Sequence, residues 1–500
     1  RRSQSVRSPA GWIERHAAFA PDKTALRDGQ QNLSYAKFAA RIACASRWLE
    51  QERGLSAGDR VAWLGANSSD FLALFFACMD CGITFVPLNW RLSAAELAAI
   101  ARDGRITLAV VDSSCARLMV CDDDWGIVPA EELGAVLDSY GAQKIIPAAI
   151  GKQIDPETPA LLVYTSGTTG KPKGAVLSQR AILFNALNAV HMHDMNAADR
   201  ILTVLPMFHV GGLNIQTLPA LYCGAEIILH PRFEPATTLE AITAERPTLT
   251  TLVPAMINAL MTHPAWLATS LSSLRSITTG STDVPRAMIE SIHERAVPVI
   301  QIYGSTETGP VAIYQRADEA MATVGAIGRA GLHTEVRLVD AQGAEVADGS
   351  DGEILVRGPH IANGYWDATS GQAVAFADGW FASGDVATRD SDGLYWFRDR
   401  IKHLIISGGE NIYPAELERI LNANSHLQEA AVVGRPDAHW GEVPVVVAVP
   451  SSAVVTEDDI LQCFADRIAR YKHPHAVVFV DALPRTALGK VDLGRLRDLL

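Results

Sequence analysis

Tyr164-Thr165-Ser166-Gly167-Thr168-Thr169-Gly170-Lys171-Pro172-Lys173-Gly174 is the stretch from which the rest of this chain can be read. It gathers hydroxyls, glycines and two lysines between the apolar runs Leu161-Leu162-Val163 and Ala175-Val176-Leu177. Glycines let successive backbone N–H groups converge on phosphate oxygens, hydroxyls donate to them, and lysine offsets their charge. A Walker A loop, G-x-x-x-x-G-K-[ST], needs glycine at position 165 and a hydroxyl at 172. The chain has Thr165 and Pro172 there. Both flanks read as short strands, so the loop closes a hairpin instead of opening a helix. The stretch reads as a polyphosphate cradle of another kind.

Outward from the loop, strands and helices alternate. Leu33 to Leu49 is amphipathic with Ser34 as N-cap, Arg60 to Leu64 is a strand, and Ser69 to Cys81 a helix. Strands follow at Phe85–Leu88, Arg200–Pro206, Ala225–Leu229, Leu249–Pro254, Ser276–Thr279 and Val299–Tyr303. Strands separated by helices predict an α/β fold, with a large N-terminal domain of stacked, mostly parallel sheets. Beyond about residue 325 the pattern becomes short alternating β runs with Gly and Asp turns, which predicts a small β subdomain over 325–399. A break falls near Asp399-Arg400-Ile401-Lys402. Residues 400–500 then read as a small, mobile α+β C-terminal domain with a helix from Pro414, joined through a hinge near Lys402.

Five hundred residues predict more than one domain. Apolar content of 48% and charged content of 20% describe a packed globular chain. A net charge of −13 argues against nucleic-acid or anionic-membrane binding, so an anionic substrate must be met by local cations or a metal ion. The longest apolar run, Phe71 to Met79, is about half of what a bilayer crossing needs. Residues 11–20 carry Glu14, Arg15 and His16 where a signal peptide would be apolar. Seven scattered cysteines suggest a reducing compartment, and the expected location is cytoplasmic. Cys78-Met-Asp-Cys81 lies in a helical apolar pattern and reads as core, not as a redox or zinc pair. His191-Met-His193-Asp194 reads as a solvated turn in preference to a metal corner.

Four further segments carry chemistry. Tyr303-Gly304-Ser305-Thr306-Glu307-Thr308-Gly309 follows an apolar strand, where α/β proteins bind ligands. There Tyr303 suits stacking on a base, Thr306 a phosphate contact and Glu307 a Mg²⁺ ligand. Gly379 to Asp385 ends on a carboxylate able to accept both hydroxyls of a ribose; alone it would read as a turn. The charged run Arg398 to Lys402 leads to Ser407-Gly408-Gly409 at the domain break. Pro484 to Lys490 places one lysine after a glycine turn, ordinarily a surface feature.

In this order, with Pro206-Met207-Phe208-His209-Val210-Gly211-Gly212-Leu213, the segments resemble the acyl-adenylate-forming superfamily of acyl-CoA synthetases, peptide-synthetase adenylation domains and firefly-type luciferases. The resemblance runs from about residue 10 to 495. It implies an ATP-dependent acid–thiol ligase using ATP, Mg²⁺ and coenzyme A, which forms acyl-AMP and pyrophosphate and then acyl-CoA and AMP. It also implies roles. Thr165, Ser166, Gly167, Thr168, Thr169, Gly170 and Lys173 hold the β- and γ-phosphates; Thr306 and Glu307 serve the α-phosphate and Mg²⁺. Tyr303, with Ser281, Gln301, Gly304 and Ser305 around it, faces the adenine side, and Asp385 and Arg400 hold the ribose. Lys490 bridges carboxylate and phosphate, and His209 sits beside the acyl group. Lys402 is the hinge, and Ser407, Gly408 and Gly409 pass the pantetheine arm, with Trp440 as a further CoA contact that equally reads as a core or interface Trp. His403 and Gly280-Ser281-Thr282-Asp283-Val284-Pro285 depart from the pattern, the latter beside the expected acyl pocket.

The pocket-side segments, His209–Asn214, Val253–Met256, Thr278–Ser281 and Pro310–Val311, carry few charges; Phe208-His209 lacks the Asp that amino-acid-activating members place there for an α-amine, and His209–Thr217 has no Arg to pair a second carboxylate. An apolar pocket points to a fatty or aryl acid, as in fatty-acid and cinnamate-type ligases. A carrier protein as acceptor, a luciferase-like oxygenase and a homodimeric assembly are left open.

Overall fold

The computed structural model describes residues 9–29, 31–119, 124–139, 154–165, 172–280, 284, 286–400, 405–412, 414–422, 426–451, 455–485, 491 and 493–500. Two compact units divide the chain: Arg1–Asn89, Ala101–Val163 and Gly174–Asp399 form one, and Trp90–Ile100, Tyr164–Lys173 and Arg400–Leu500 the other.

The first unit is built on two large sheets. In one, six parallel strands run side by side: Val299–Tyr303, Ser276–Gly280, Leu249–Thr251, Arg200–Thr203, Glu226–Leu229 and Thr24–Asp28. Short antiparallel strands close its edges, Ile313–Tyr314 with Arg329–Ala330 on one side and Gln31–Ser34 on the other. Strands covered on both faces become almost continuously apolar. Ser276–Gly280 and Val299–Tyr303 are accordingly buried except at their last residues. Those last residues matter, because the parallel register sets Gly280 opposite Ile302 and brings both carboxyl ends to one edge.

The second sheet has eight strands, in which Arg60–Leu64 lies between Thr84–Leu88 and Leu108–Val111, all three parallel. Pro159–Thr165 and Lys173–Ser178, the flanks of the glycine-rich loop, are neighbours in it. The helix Ser69–Cys81 is capped by the Ser68 hydroxyl, which accepts from the Phe71 amide at 3.1 Å. It buries nearly every side chain, Cys78 and Cys81 included. Phe71, Phe75, Phe76 and Phe85 meet edge to face with centroids 5.0 to 5.6 Å apart. Each contributes on the order of 2 kcal/mol by leaving water.

A third, four-stranded sheet of this unit contains Glu335–Val339, Asp351–Arg357, Phe381–Arg389 and Tyr395–Arg400. Its second strand alternates buried and open residues, as a sheet with one wet face must.

In the second unit Leu427–Asp437 and Gly441–Pro450 form a long antiparallel hairpin, and Ala476–Phe479 adds in parallel. Ile405, Leu417, Leu421, Val432, Val446 and Phe464 share its core with the helix Pro414–Asn422. The helix Glu457–Gln462 starts on a reciprocal cap between Thr456 and Asp459.

One sequence reading is corrected here. His191 to His193 are the last turn of the helix Gln179–His193, with Asp194 as its left-handed cap, and not a solvated turn. His193 is buried because this turn packs over the Ser276–Gly280 strand, whose Thr278 hydroxyl lies 2.8 Å from its Nε2. Among the described residues no cluster of His, Cys, Asp and Glu is arranged to hold a metal.

Candidate active site

The Tyr303–Gly309 segment leaves the sheet at its carboxyl edge and turns at once into a single 3-10 turn, Thr306–Thr308. The turn is fixed by the Thr308 hydroxyl, which accepts from the Ser305 amide at 2.8 Å. Gly304 is required by close approach: a Cβ there would stand 1.8 Å from the Pro310 carbonyl oxygen. This folding-back presents Thr306 and buries Glu307.

Glu307 is held from two sides. Its Oε1 accepts from the Tyr365 hydroxyl at 2.6 Å, and its backbone carbonyl accepts from Ala362 N at 2.7 Å. Among the described residues no cation lies within ion-pair distance of it. A buried carboxylate oriented by a neutral donor fits a divalent cation, and Mg²⁺ is the hard ion such an oxygen takes.

Next to it, the Tyr303 hydroxyl donates to Asp385 Oδ2 at 2.8 Å. Asp385 lies inside the strand Phe381–Arg389 and not at a strand end. One carboxylate and one phenol thus form a hydrogen-bonded pair where the sequence motifs assign the two ends of a nucleoside. Gln301 sits opposite Thr279 in the register, and both Gln301 Oε1 and Thr279 Oγ1 are buried without a hydrogen-bond partner among the described residues.

The loop is braced from behind by residues that the sequence motifs do not mark. From the helix Gln179–His193, Asn185 Oδ1 accepts from Val311 N at 2.9 Å, and Asn188 Nδ2 donates to Val311 O at 2.9 Å. Asn214 Nδ2 donates to Gly309 O at 2.7 Å. His360 is buried and neutral, its pKa pushed down to about 4 chiefly by burial. Its Nδ1 therefore donates to the Thr308 carbonyl at 2.6 Å, and its Nε2 accepts from the Thr334 hydroxyl at 2.9 Å.

His209 caps the short helix Val210–Asn214, with its ring against Phe208 at a centroid distance of 4.5 Å. Gly211 has only Ile215 Cδ1 near the place a Cβ would take, at 3.9 Å, so there is room beside it. Ile215, Ile300, Ile302 and Val311 belong to one apolar cluster. Thr165 Oγ1 donates to Lys173 O at 3.4 Å across the mouth of the glycine-rich loop. Ser166, Gly167, Thr168, Thr169, Gly170, Lys171, Ser281, Lys402, His403 and Lys490 lie outside the described residues, as does the side chain of Arg400.

In the second unit, Ser407–Glu410 is a two-residue hairpin with Gly408 at φ +56° and Gly409 at φ +82°. Positive φ at both central residues is what such a turn demands. The backbone need of Gly408 is thus local. Its neighbour is Trp440, whose ring would lie 2.8 Å from an added Cβ and whose carbonyl accepts from Gly408 N at 2.8 Å. Trp440 is 45% exposed.

Residues 13–366 match the model of the AMP-binding enzyme family and residues 416–490 that of the AMP-binding enzyme C-terminal domain. An indoleacetate–CoA ligase of Aromatoleum aromaticum is 45% identical over 98% of this chain and 97% of its own. A feruloyl-CoA synthase of an Amycolatopsis species is 38% identical over 97% and 98%. Among solved structures, o-succinylbenzoate CoA synthetase of Bacillus subtilis bound to a product analogue superposes with a TM-score of 0.86 at 28% identity, covering 98% of each chain. An amide bond synthetase of Marinactinospora thermotolerans gives 0.83 at 26% identity, over 98% and 99%.

Proposed function

We propose, for a chain that belongs to the AMP-binding enzyme family, that its acid is an arylacetate of the indoleacetate type. The reaction class is acid–CoA ligation with ATP, Mg²⁺ and CoA, through an acyl-AMP. The carboxylate oxygen attacks the α-phosphorus and pyrophosphate leaves; the thiol sulfur then attacks the acyl carbon and AMP leaves.

The observation that carries the choice of acid is identity of 45% over 98% of the chain to an enzyme named for indoleacetate, with a feruloyl-CoA synthase at 38%. The segments His209–Asn214, Val253–Met256, Thr278–Ser281 and Pro310–Val311 carry no Asp or Arg, so a dicarboxylate or an amino acid would leave its second charge unpaired there, at a cost of several kcal/mol.

We assign the residues accordingly. Glu307, oriented by Tyr365, holds Mg²⁺, which neutralises phosphate charge when bound. Thr306 contacts the α-phosphate, and Thr165 and Lys173 with the loop between them hold the departing pyrophosphate. Tyr303 and Asp385 hold adenine and ribose as a bonded pair, joined at the ribose by Arg400. Lys490 offsets the two anions that must meet during adenylation. Ser407, Gly408, Gly409 and Trp440 serve the thiol step, after rotation about Lys402. We place the enzyme in the cytoplasm, on the support of cysteines 44, 78, 81, 115, 223 and 463 standing as thiols and not as disulfides.

The test is pyrophosphate release with CoA present over fatty, cinnamic, benzoic and arylacetic acids. Highest kcat/KM on an arylacetate is expected; a fatty acid at the top overturns the assignment. Lys490→Ala is expected to abolish acyl-AMP formation while sparing thioester formation from supplied acyl-AMP. Undiminished pyrophosphate release in that variant would remove Lys490 from the adenylation step.

A further inference from the structure

Trp90–Ile100 belongs by its contacts with residues 400–500, while the chain on either side of it, up to Asn89 and from Ala101, belongs to the first unit. The helix Ala94–Asp103 runs through the second of these boundaries without a break. It begins on a reciprocal cap, in which Glu96 N donates to the Ser93 hydroxyl at 3.3 Å and Glu96 Oε2 accepts from Ser93 N at 2.9 Å.

The other oxygen of Glu96 is engaged elsewhere. Oε1 accepts from Lys472 Nζ at 2.9 Å, and the same ammonium donates to Glu416 Oε1 at 2.8 Å. Lys472 is 3% exposed, so it needs a counter-charge, and Glu416 already supplies one from within 400–500. Glu96 is therefore a surplus carboxylate: burial, helped by Glu96, holds the Glu416 carboxyl above its usual range against the pull of Lys472. Breaking a buried ion pair ordinarily strands a charge. Here neither side is stranded, because Lys472 keeps Glu416 and Glu96 keeps the Ser93 cap.

A second contact joins the same segment to the glycine turn. The Arg91 guanidinium pairs with Glu410 Oε1 and lies 5.1 Å from the centre of the Trp90 ring. Glu410 is buried and closes the hairpin opposite Ser407, directly after Gly409. Tyr471 links the two contacts: its hydroxyl is pushed well above its ordinary range by burial first, then by Glu410, Glu416 and Glu96.

Resting on the assignment of the Ser407–Glu410 turn to the thiol step after rotation about Lys402, we propose that Arg91 and Glu96 are positioning residues of that step. They form a clasp that closes on Glu410 and Lys472, holds the turn where the thiol passes, and opens for adenylation. The helix makes the opening obligatory. Its far end belongs to the first unit, so residues 90–96 cannot follow residues 400–500 through a rotation without breaking it. The doubled carboxylate makes the opening reversible, since Lys472 passes from two partners to one and back.

The experiment measures the two half-reactions in the intact enzyme, Glu96→Gln, Arg91→Met and Arg91→Met with Glu410→Gln, using the acyl-AMP of whichever acid the enzyme takes best. Glutamine at 96 can still cap the helix, so the charge is lost and the local fold kept. Each single variant is expected to slow thioester formation from supplied acyl-AMP about tenfold, the loss of one charge-assisted bond, and to leave pyrophosphate release little changed. Retained pyrophosphate release also shows that the variant is folded. The double variant is expected to be no slower than Arg91→Met alone, because the two residues share one contact. Unchanged thioester formation in either single variant, equal losses in both half-reactions, or additive losses in the double variant overturns the clasp. Gly408→Ala tests the underlying assignment by itself. If it slows thioester formation while Glu96→Gln and Arg91→Met do not, the clasp alone has failed; if it does not slow that step either, the assignment of the turn has failed and the clasp falls with it.

Discussion

Two buried imidazoles make the first unit sensitive to mild acid. His193 and His360 are both neutral in the fold, each with its pKa lowered from 6.5 to about 4, chiefly by burial. Below pH 6.5 the unfolded chain takes up protons at these positions that the folded chain refuses, so stability falls as pH drops from about 6.5 toward 4. At pH 5 a shift of that size is worth about 2 kcal/mol per ring, and two separate sites give about 4 kcal/mol relative to pH 8. For a unit of about 380 residues this lowers Tm by about 5 °C. Asp199, held below its ordinary range by Arg275 and Thr248 against the penalty of burial, titrates below this window. Asp70, raised by burial, acts in the opposite sense, so the assay must isolate the histidines. Calorimetry from pH 8 to 5 would compare the native chain with His193→Gln, His360→Gln and the double variant. Each single variant is expected to remove about half of the acid loss. An equally steep profile in the double variant, or a flat one in the native chain, refutes the reasoning.

Other expectations follow from single contacts. Tyr365→Phe removes the donor to Glu307 Oε1 and should raise the Mg²⁺ concentration for half-maximal pyrophosphate release about tenfold, matching roughly 1.5 kcal/mol for a hydrogen bond to a charged group; an unchanged Mg²⁺ curve would leave Tyr365 without that role. Gly408→Ala strains a left-handed position and pushes on the Trp440 ring. Thioester formation from supplied acyl-AMP should fall by about tenfold with pyrophosphate release little changed, on a penalty of about 1–2 kcal/mol; equal losses would contradict the assignment of this turn to the thiol step. Arg275→Ala leaves Asp199, 2% exposed, with Thr248 and the Asn196 amide as its remaining donors among the described residues. About 2 kcal/mol should be lost in urea unfolding, at the low end for a buried pair because Arg275 is 36% exposed; no change in midpoint would mean that the pair is already solvated.

Fold class was legible because burial on both faces leaves its mark on composition. Val299–Tyr303 and Phe71–Met79 could only be covered elements, and the alternating run at Asp351–Arg357 could only be a sheet with one open face. The motifs of the family were legible because glycines and hydroxyls at fixed spacing leave local patterns. Their supports left none. Asn185, Asn188 and His360 bond to backbone atoms of the Thr308–Val311 loop from 52 to 126 residues away. In sequence they are isolated polar residues among apolar neighbours. The same lack of local signal misplaced His193, whose burial is decided by a strand some 80 residues later. Glycines 408 and 409 were legible as necessary, but the necessity comes from their own hairpin and from Trp440.

The bracing of the Thr306–Val311 loop grips main chain, not side chains: Thr308 O, Gly309 O, and both polar atoms of Val311. Side chains on this loop can therefore be exchanged without undoing the bonds that hold its backbone. A scaffold arranged in this way separates the evolution of a loop's side chains from the upkeep of its shape. It makes the loop's own side chains the place to diversify a library, and the helix Gln179–His193 the part to leave alone.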